Sequence, residues 1–320
     1  MTDQTTDQTT DQTTDQTTDH ADDDDRATDT ATEAFVAHRN LLFTVAYEML
    51  GSASDAEDVL QETWLRWVKV DLDQVEDRRA YLVRITTRQS LNRLRAMSRR
   101  KESYVGEWLP EPLLTAPDVA QDVELAESVS MAMMLVLETL SPTERAVFVL
   151  REAFDVGYDE IAAAVDKTPA AVRQIAHRAR KHVDARRPRQ SVSASQTRAV
   201  MESFQRALDN GDLQGLLDVL APDVVLVGDG GGIKQAALRP VTGADKVGRF
   251  IIGGVGKKAN RFAITPTVVN GSPALFAHLD GELDGVMAFH VEDGRIAGIY
   301  FVRNPEKLGA ITAEAPITLR

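Results

Sequence analysis

The side chains of this chain that could bind a phosphate backbone are concentrated after Tyr158. Residues 158–183 read YDEIAAAVDKTPAAVRQIAHRARKHV, two short helical patterns in which Thr168 is placed to cap the second helix and Pro169 to begin it. This spacing predicts a helix-turn-helix. Guanidinium and ammonium groups neutralise phosphates, and Arg and Gln can also read base edges in the major groove. The predicted DNA contacts are the outward-facing polar residues of the second helix: Arg173, Gln174, His177, Arg178 and Lys181.

Apolar residues at three- and four-residue spacing predict how the second helix packs. The residues that would face inward are Val172, Ile175, Ala176, Ala179 and Val183. Residues 167–189 carry eight Lys or Arg and one acid. A solvated basic face on an ordinary helix is the alternative interpretation, but the cap in register with the apolar stripe favours a DNA-reading helix.

A second basic segment lies about 80 residues earlier in the chain. Residues 78–101 contain nine Arg or Lys and no acid. Apolar residues of this segment recur at helical spacing and would face a core. The polar ladder left on the other side could hold a strand backbone, and it consists of Arg84, Arg88, Asn92 and Arg95. Two separated basic helices predict a protein that grips DNA at two places.

Two further helices are predicted before that segment. The first begins at about Thr32 and ends at Gly51, with Phe35 and Val36 in its core stripe. The second runs from about Asp55 to Val70, and a capping box opens it at Ser54. One face of the second helix carries Asp58, Gln61 and Glu62. These groups would suit a basic partner helix, although composition alone favours a solvated face.

The bulk composition limits the class of protein. A chain of 320 residues is long enough for two or three domains. The net charge is −13, but residues 1–32 carry ten Asp and one Arg, so local charge matters more than the total. The absence of cysteine excludes disulfides and thiolate-bound metals, and no apolar run approaches the length of a membrane span. We expect a cytoplasmic protein without a metal or other cofactor.

Composition also predicts three folded units joined by linkers. The segment 104–112 contains two prolines and cannot continue a helix, yet its Tyr, Trp and Leu predict that it docks on a surface. After residue 196, two helical patterns precede a series of strand patterns, which predicts an α+β domain with a curved antiparallel sheet and a concave face. The predicted organisation is a disordered acidic tail at 1–32, an all-α domain at 33–102, a linker at 103–118, a helix-turn-helix domain at 119–186, a linker at 187–195, the α+β domain at 196–308 and a tail at 309–320.

Three of these segments together resemble the extracytoplasmic-function (ECF) sigma factors, the small specificity subunits of bacterial RNA polymerase. Residues 55–67 (DAEDVLQETWLRW) resemble the family's polymerase-binding helix, residues 80–95 its minus-ten segment, and residues 141–183 its minus-thirty-five domain. The resemblance implies core polymerase and promoter DNA as partners. It assigns Asp58, Gln61 and Glu62 to polymerase and Arg84, Arg88 and Asn92 to the minus-ten element.

The remainder resembles the subfamily in which a SnoaL-like cone domain follows the two sigma domains. Its marks are WLPEP in the linker, a glycine loop, and NPEKL near the end. The resemblance implies regulation in cis by the appended domain, through contacts among these motifs. The implied contact residues are Trp108, Leu109, Pro110, Glu111, Pro112, Asp229, Gly230, Gly231, Gly232, Asn304, Pro305, Lys307 and Leu308.

The α+β domain could act as an enzyme or bind a small ligand, and the function of the whole chain has one alternative. Asp229, His278, Asp280, His290 and Tyr300 could transfer protons, but no spacing specifies a catalytic pair, so we expect no enzyme. An unidentified small ligand is a second option. The alternative to a sigma factor is a polymerase-independent helix-turn-helix regulator whose cone senses a ligand or catalyses a reaction.

Overall fold

The computed structural model describes residues 16–116, 123–186, 194–256, 261–312, 314–315 and 317–318. The Thr-Asp-Gln-Thr repeat up to residue 15, most of the second linker and parts of the C-terminal tail lie outside these residues. The first half of the chain is helical, and the second half adds a sheet. The helices are α1 Gln16–Leu50, α2 Ala53–Trp67, α3 Arg78–Lys101, α4 Val123–Ser128, α5 Met131–Leu137, α6 Pro142–Phe148, α7 Tyr158–Val165, α8 Pro169–Asp184, α9 Ala194–Asp209, α10 Leu213–Val219 and α11 Ala244–Gly256.

Helix α1 begins at Gln16 and therefore includes residues 16–32 of the tail that the sequence analysis predicts to be disordered. The part near Ala31 is anchored, because its carbonyl accepts a 2.8 Å hydrogen bond from the Trp67 indole. A helix fixed at that point can propagate outward at one hydrogen bond per residue. Val36 is 63 % exposed, so its assignment to the core is wrong.

The start of α2 differs from the prediction by two residues. Ser52 is the N-cap, and its hydroxyl accepts a 3.1 Å hydrogen bond from the Asp55 N–H. The predicted cap, Ser54, instead donates to Glu111 in the linker. The helix ends at Trp67, before the predicted Val70. A contact distant in sequence has therefore displaced the local capping box.

The helix-turn-helix forms as predicted. The Thr168 hydroxyl caps α8 at the Ala171 N–H, and Asp166 ends α7 in the left-handed conformation. A capping box begins α6, where Ser141 and Glu144 exchange hydrogen bonds, and the helix continues into a π turn at Val149–Ala153. The five apolar residues of α8 that we predicted to face inward are all buried.

The C-terminal part is the predicted α+β domain, with one difference in its sheet. Strand order is β2-β1-β6-β5-β4-β3, and β3 to β6 form an antiparallel meander. Strand β1 pairs parallel with β6, so the sheet is mixed rather than antiparallel. This strand enters from a helix instead of a hairpin, so no tight turn fixes its direction. The strands are β1 Leu220–Asp229, β2 Val241–Thr242, β3 Phe262–Val269, β4 Ser272–Leu279, β5 Glu282–Glu292 and β6 Arg295–Val302.

The two faces of this sheet contact different parts of the chain. Met287 and Phe289 of β5 face the interior of the cone, where α9, α10 and α11 pack. Their neighbours Val286 and Ala288 face the other way, onto Leu109 of the linker and α5. Helices α1 to α8 share one continuous apolar core. The structure thus brings both helical units and the cone into contact.

Candidate functional site

The outer face of α8 is a basic surface open to solvent. All five predicted contact residues are exposed, from Arg173 to Lys181. The neighbouring Arg180 points elsewhere and pairs with Glu152. The exposed side chains lie on one side of a helix that follows a tight turn, which is the geometry that enters a major groove.

The polar ladder of α3 is not free along its whole length. The Arg84 guanidinium lies 4.5 Å from the centroid of the Tyr81 ring, and Asn92 and Arg95 are exposed. Arg88 donates a 2.8 Å hydrogen bond to the carbonyl of Ala163 in α7. The helix-turn-helix therefore lies against the predicted minus-ten surface, while the outer face of α8 stays exposed.

The acidic face of α2 remains exposed at Asp58, Gln61 and Glu62. Asp58 pairs with Arg93 of α3, and the same guanidinium binds Asp55 at 2.6 Å. Leu65 is 54 % exposed and follows Gln61 and Glu62 by four and three residues, so it lies on the same face. Leu65 is not among the residues predicted from the sequence, although its helical spacing was the available signal. The surface combines carboxylate, amide and apolar groups.

The Asp229 carboxylate organises the contact between the linker and the cone. It is fully buried at the end of β1. One of its oxygens accepts hydrogen bonds from the Leu109 N–H at 2.9 Å and from the Lys307 ammonium at 2.7 Å. The other accepts from the Tyr104 hydroxyl and from the Gly231 N–H. A single buried carboxylate thus joins the linker, the glycine loop and the C-terminal turn.

Lys307 binds the linker from the other side. It is 3 % exposed in the helical turn Pro305–Lys307, and its ammonium donates to the Leu109 carbonyl at 2.6 Å. The same group lies 3.3 Å from the centroid of the Trp108 ring. Burial lowers the pKa of Lys307 to about 8, while Asp229 favours its charged form. Ion pairing, hydrogen bonding and a cation–π contact therefore meet at one side chain.

Only glycine fits at the positions where the glycine loop contacts the C-terminal turn. Gly231 has a φ of 63°, and a Cβ there would lie 2.4 Å from the Asn304 side-chain amide. A Cβ at Gly232 would lie 3.2 Å from Val105 of the linker. Asn304 donates a 2.9 Å hydrogen bond to the Tyr104 hydroxyl. The loop serves close backbone approach rather than phosphate binding.

Glu111 carries the linker onto the start of α2. One oxygen of its buried carboxylate accepts from the Ala53 and Ser54 N–H groups at 2.8 and 3.1 Å, and the other accepts from the hydroxyls of Ser52 and Ser54. A carboxylate here satisfies N–H groups that a helix start leaves unpaired and complements its dipole. The WLPEP segment therefore links the cone, through Trp108 and Leu109, to the predicted polymerase-binding helix. Its remaining members, Pro110 and Pro112, are buried, and so is Leu308 of the C-terminal motif.

Asn270 forms a second junction that the sequence analysis missed. It is 1 % exposed at the β3–β4 turn, with a φ of 53°. Its carbonyl accepts from the Leu113 N–H at 3.0 Å, and its amide donates to the Tyr47 hydroxyl and the Val129 carbonyl at 2.7 and 2.8 Å. The cone is thereby bonded to α1, to the linker and to the α4–α5 turn. Its sequence signal, an Asn-Gly pair, is typical of a hairpin turn and does not indicate a contact between domains.

Buried charges lie between the two helical units. Arg145 of α6 is 1 % exposed and donates to the Glu48 carbonyl of α1 at 2.8 Å and to the Glu138 carboxylate at 2.6 Å. Glu138 also binds Lys101 of α3. Burial raises the pKa of Glu48 to about 7, and its carboxyl accepts from Ser128 at 2.9 Å. These groups would be solvated if α1 and α3 separated from α5 and α6.

The groups considered for proton transfer do not form a catalytic arrangement. Asp229 is occupied by the linker contact, and His290 contacts Glu292 at 2.8 Å on the same strand. Asp280 pairs with Arg261 on the surface. In the parts of the chain that the structure covers, no three His, Asp or Glu side chains are grouped as metal ligands, and no helix is long and apolar enough to cross a membrane.

Comparison with known proteins identifies the two helical units. Residues 34–100 match the family model Sigma-70 region 2, and residues 130–183 match Sigma-70, region 4. Over 291 residues the chain is 38 % identical to the ECF RNA polymerase sigma factor SigJ of Mycobacterium tuberculosis, covering 85 % of this chain and 91 % of the relative. It is 34 % identical to the probable ECF RNA polymerase sigma factor SigI of the same species, over 88 % of this chain and 96 % of the relative.

A solved structure is similar across the whole architecture. The crystal structure of the Mycobacterium tuberculosis ECF sigma factor SigJ superposes with a TM-score of 0.72 at 34 % identity. The match covers 88 % of this chain and 99 % of that one. The similarity thus extends through the linker and the cone, beyond the two sigma regions.

Proposed function

Because the chain belongs to the ECF sigma factors, and so directs core RNA polymerase to promoters, we propose that its cone domain holds it in a closed, inactive arrangement. In this arrangement the two DNA-binding units are packed on each other. The observation that carries the proposal is the hydrogen bond from Arg88 to Ala163, which joins the minus-ten helix to the helix-turn-helix. Opening would require that contact to break. We place this activity in the cytoplasm, where polymerase and promoter DNA are present.

The distance between promoter elements supports this interpretation. Elements at minus ten and minus thirty-five are about 25 base pairs apart, or about 85 Å at roughly 3.4 Å per pair. Helices α3 and α7 are in hydrogen-bond contact, and one core is shared between the two units. A sigma factor that reads both elements must therefore separate its two units.

The proposed contacts of the open form follow from the exposed surfaces. Asp58, Gln61 and Glu62 of α2, with Leu65 beside them, would bind core polymerase. The α3 ladder from Arg84 to Arg95 would bind the minus-ten element once α7 has moved away. The exposed face of α8 would bind the minus-thirty-five element by entering its major groove.

The linker is the proposed means by which the cone maintains closure. Asp229 and Lys307 hold its Leu109 backbone, and Glu111 fixes the following residues to the start of α2. Beyond them, the Thr115 N–H donates to the Val268 carbonyl at the edge of the sheet. A linker held at both ends in this way cannot extend to span a promoter.

A reversible crosslink tests the proposal, since the chain has no cysteine of its own. Arg88→Cys and Ala163→Cys would be joined by a short bis-methanethiosulfonate reagent, which dithiothreitol cleaves. We expect the crosslinked chain to be silent in reconstituted transcription. On reduction it should recover the activity of the uncrosslinked double-cysteine chain, which already lacks the proposed contact of Arg88 with the minus-ten element. Equal transcription before and after reduction would reject the closed state as inactive, and single-cysteine chains treated identically provide the control.

The reading helix gives a prediction about DNA affinity. Arg173→Ala with Arg178→Ala should weaken binding of the polymerase holoenzyme to the upstream promoter element by about ten- to a hundredfold. Loss of two phosphate contacts should also make the plot of log K against the logarithm of salt concentration less steep, by about two units of slope, where K is the DNA-binding constant. Fluorescence anisotropy over a salt series measures both quantities. The double variant Arg239→Ala with Lys246→Ala removes two exposed charges from the cone and should change neither.

Glu48 gives a prediction about pH. Its pKa of about 7 in the closed form compares with 4.5 when the group is solvated. Between these values the closed form retains a proton that the open form releases, so closure loses stability as pH rises from about 4.5 to 7. The open fraction should increase several-fold between pH 5 and pH 8, as measured by hydrogen exchange at the α1–α6 contact. Glu48→Gln should flatten that dependence, and an unchanged profile would exclude Glu48 as its source.

A further inference from the structure

The cone contains a cavity that the linker contacts do not use. It has a volume of about 460 Å³, within the range of small-molecule sites. Its walls come from α11 and from the inner face of the sheet, and Phe250, which is 46 % exposed, stands at the mouth. The apolar wall is formed mainly by Leu226, Ile251, Met287, Ile299 and Phe301.

One side of the cavity is polar and carries excess positive charge. Arg249, Arg303 and Asp284 line it. Arg249 is paired with Asp245 of the same helix at 2.9 Å. With Lys234, which also binds Asp284, this edge holds three cations and two carboxylates. Asp284 is 6 % exposed and binds both Arg303 at 2.7 Å and Lys234 at 3.1 Å. Arg303 also donates to the backbone carbonyl of Gln235, at the end of the glycine loop. An apolar chamber with a cationic edge fits an elongated molecule whose head group is an anion.

We propose that the cavity binds an amphipathic carboxylate, with its apolar body against Met287 and Phe301 and its carboxylate on Arg303. The carboxylate would accept from the Arg303 guanidinium in place of the Gln235 carbonyl. Arg249, exposed at the mouth, would supply further positive charge during entry. The apolar lining of the cavity and the excess positive charge at its edge together determine this ligand class.

The same strands connect the cavity to the linker. Gly228 lines the cavity, and the next residue, Asp229, binds Leu109. Phe301 faces the cavity, while Val302 packs on the linker side. Releasing the Gln235 carbonyl would free the loop that holds Gly231 against Asn304. The regulatory consequence rests on the proposed closed state: an occupied cavity would weaken linker docking and favour opening.

Binding is tested on the full-length chain with three probes that share an apolar tail and differ in head-group charge. Dodecanoate and dodecyltrimethylammonium would be titrated calorimetrically below their micelle concentrations, and dodecanol below its solubility limit in water. We expect dodecanoate to bind at least tenfold more tightly than the other two. Equal binding of the three, tighter binding of the cation, or no binding of dodecanoate would each overturn the assignment.

Variants separate the head-group contact from the apolar chamber. Arg303→Gln should weaken dodecanoate binding at least tenfold and leave dodecanol unchanged, and Arg303→Lys should restore part of the loss. Because Arg303 supports Asp284, its variants are checked by thermal unfolding. The exposed Arg249→Gln should lower dodecanoate affinity without a change in stability, which gives a result even if Arg303→Gln misfolds. An unchanged dodecanoate affinity in both Gln variants contradicts a guanidinium-bound carboxylate.

Dye pairs at Lys69→Cys and Asp184→Cys, both exposed positions, report the separation of the two helical units. Dodecanoate should lower their energy transfer in the full-length chain. Calorimetric binding without a change in energy transfer would support the site and reject its coupling to opening. Failure of the crosslink experiment, by contrast, would reject the closed state and leave the binding result intact.

Discussion

Lys307→Met in the full-length chain is expected to raise promoter-dependent transcription at least tenfold. The substitution leaves the buried Asp229 carboxylate without its ion-pair partner and removes the bond to Leu109 and the contact with Trp108. Breaking a buried pair from one side costs about 3–5 kcal/mol, which corresponds to roughly two to four powers of ten in the closed-to-open equilibrium. Transcription reconstituted with core polymerase measures the effect. The increase reaches its limit when nearly all of the protein is in the open form.

Two matched variants control this experiment. Lys246→Met removes an exposed lysine of the same domain and should leave transcription unchanged. Asp229→Asn combined with Lys307→Met replaces the ion pair by neutral groups, and its effect should be smaller than the sum of the single effects. A Lys307→Met chain that folds and transcribes like the parent would show that this ion pair does not restrain the sigma domains.

Asn270→Gly is expected to open the second junction. Glycine accepts the φ of 53°, so the substitution isolates the loss of the side chain. Its removal leaves the Leu113 N–H and the Val129 carbonyl without the partners they have in the closed form. Each buried polar group left unpaired costs about 1–3 kcal/mol. The variant should increase hydrogen exchange of the linker amides by at least tenfold and raise transcription in parallel.

Asp293→Gly provides the control for the backbone. Asp293 has a φ of 49° in the β5–β6 turn and is exposed. Both substitutions replace a residue of positive φ in a turn between strands by glycine. Only Asn270→Gly removes a contact between domains. Equal exchange rates in the two variants would show that the effect of Asn270→Gly comes from the turn and not from the junction.

The features that sequence could predict are those set by local physics. The caps at Thr168 and Ser141 and the inward stripe of α8 depend on residues three or four positions apart. The linker was predicted to dock because Trp108 and Leu109 are unsuited to a solvated spacer. The resemblance then indicated Asp229 and Lys307 as its contacts.

The features that sequence could not predict depend on partners distant along the chain. Arg88 and Ala163 are 75 positions apart, and Asn270 and Tyr47 are 223 apart. Neither pair has a periodicity that would reveal it. Ser54 lost its predicted cap to Glu111 for the same reason. Local pattern therefore predicted the modules, while long-range polar contacts determine how the modules pack.

Those long-range contacts favour reversible over permanent packing. The interface between the helical units contains Glu48, Glu138 and Arg145, all largely buried and joined by hydrogen bonds. Buried ion pairs stabilise an interface less than apolar residues of equal volume would, because their desolvation offsets much of the attraction. The same interface also contains the apolar core shared by α1 to α8. Buried charges within that core make it less stable than a fully apolar one, which suits a closed state that core polymerase must be able to open.

The distance between the two helical units tests most directly whether the free chain is closed and the transcribing complex is open. Spin labels at Lys69→Cys and Asp184→Cys would report it by pulsed dipolar spectroscopy, in the free chain and in the complex with core polymerase and promoter DNA. We predict one short distance in the free chain and an increase of tens of ångströms in the transcribing complex. An unchanged distance in a complex that transcribes would contradict the account.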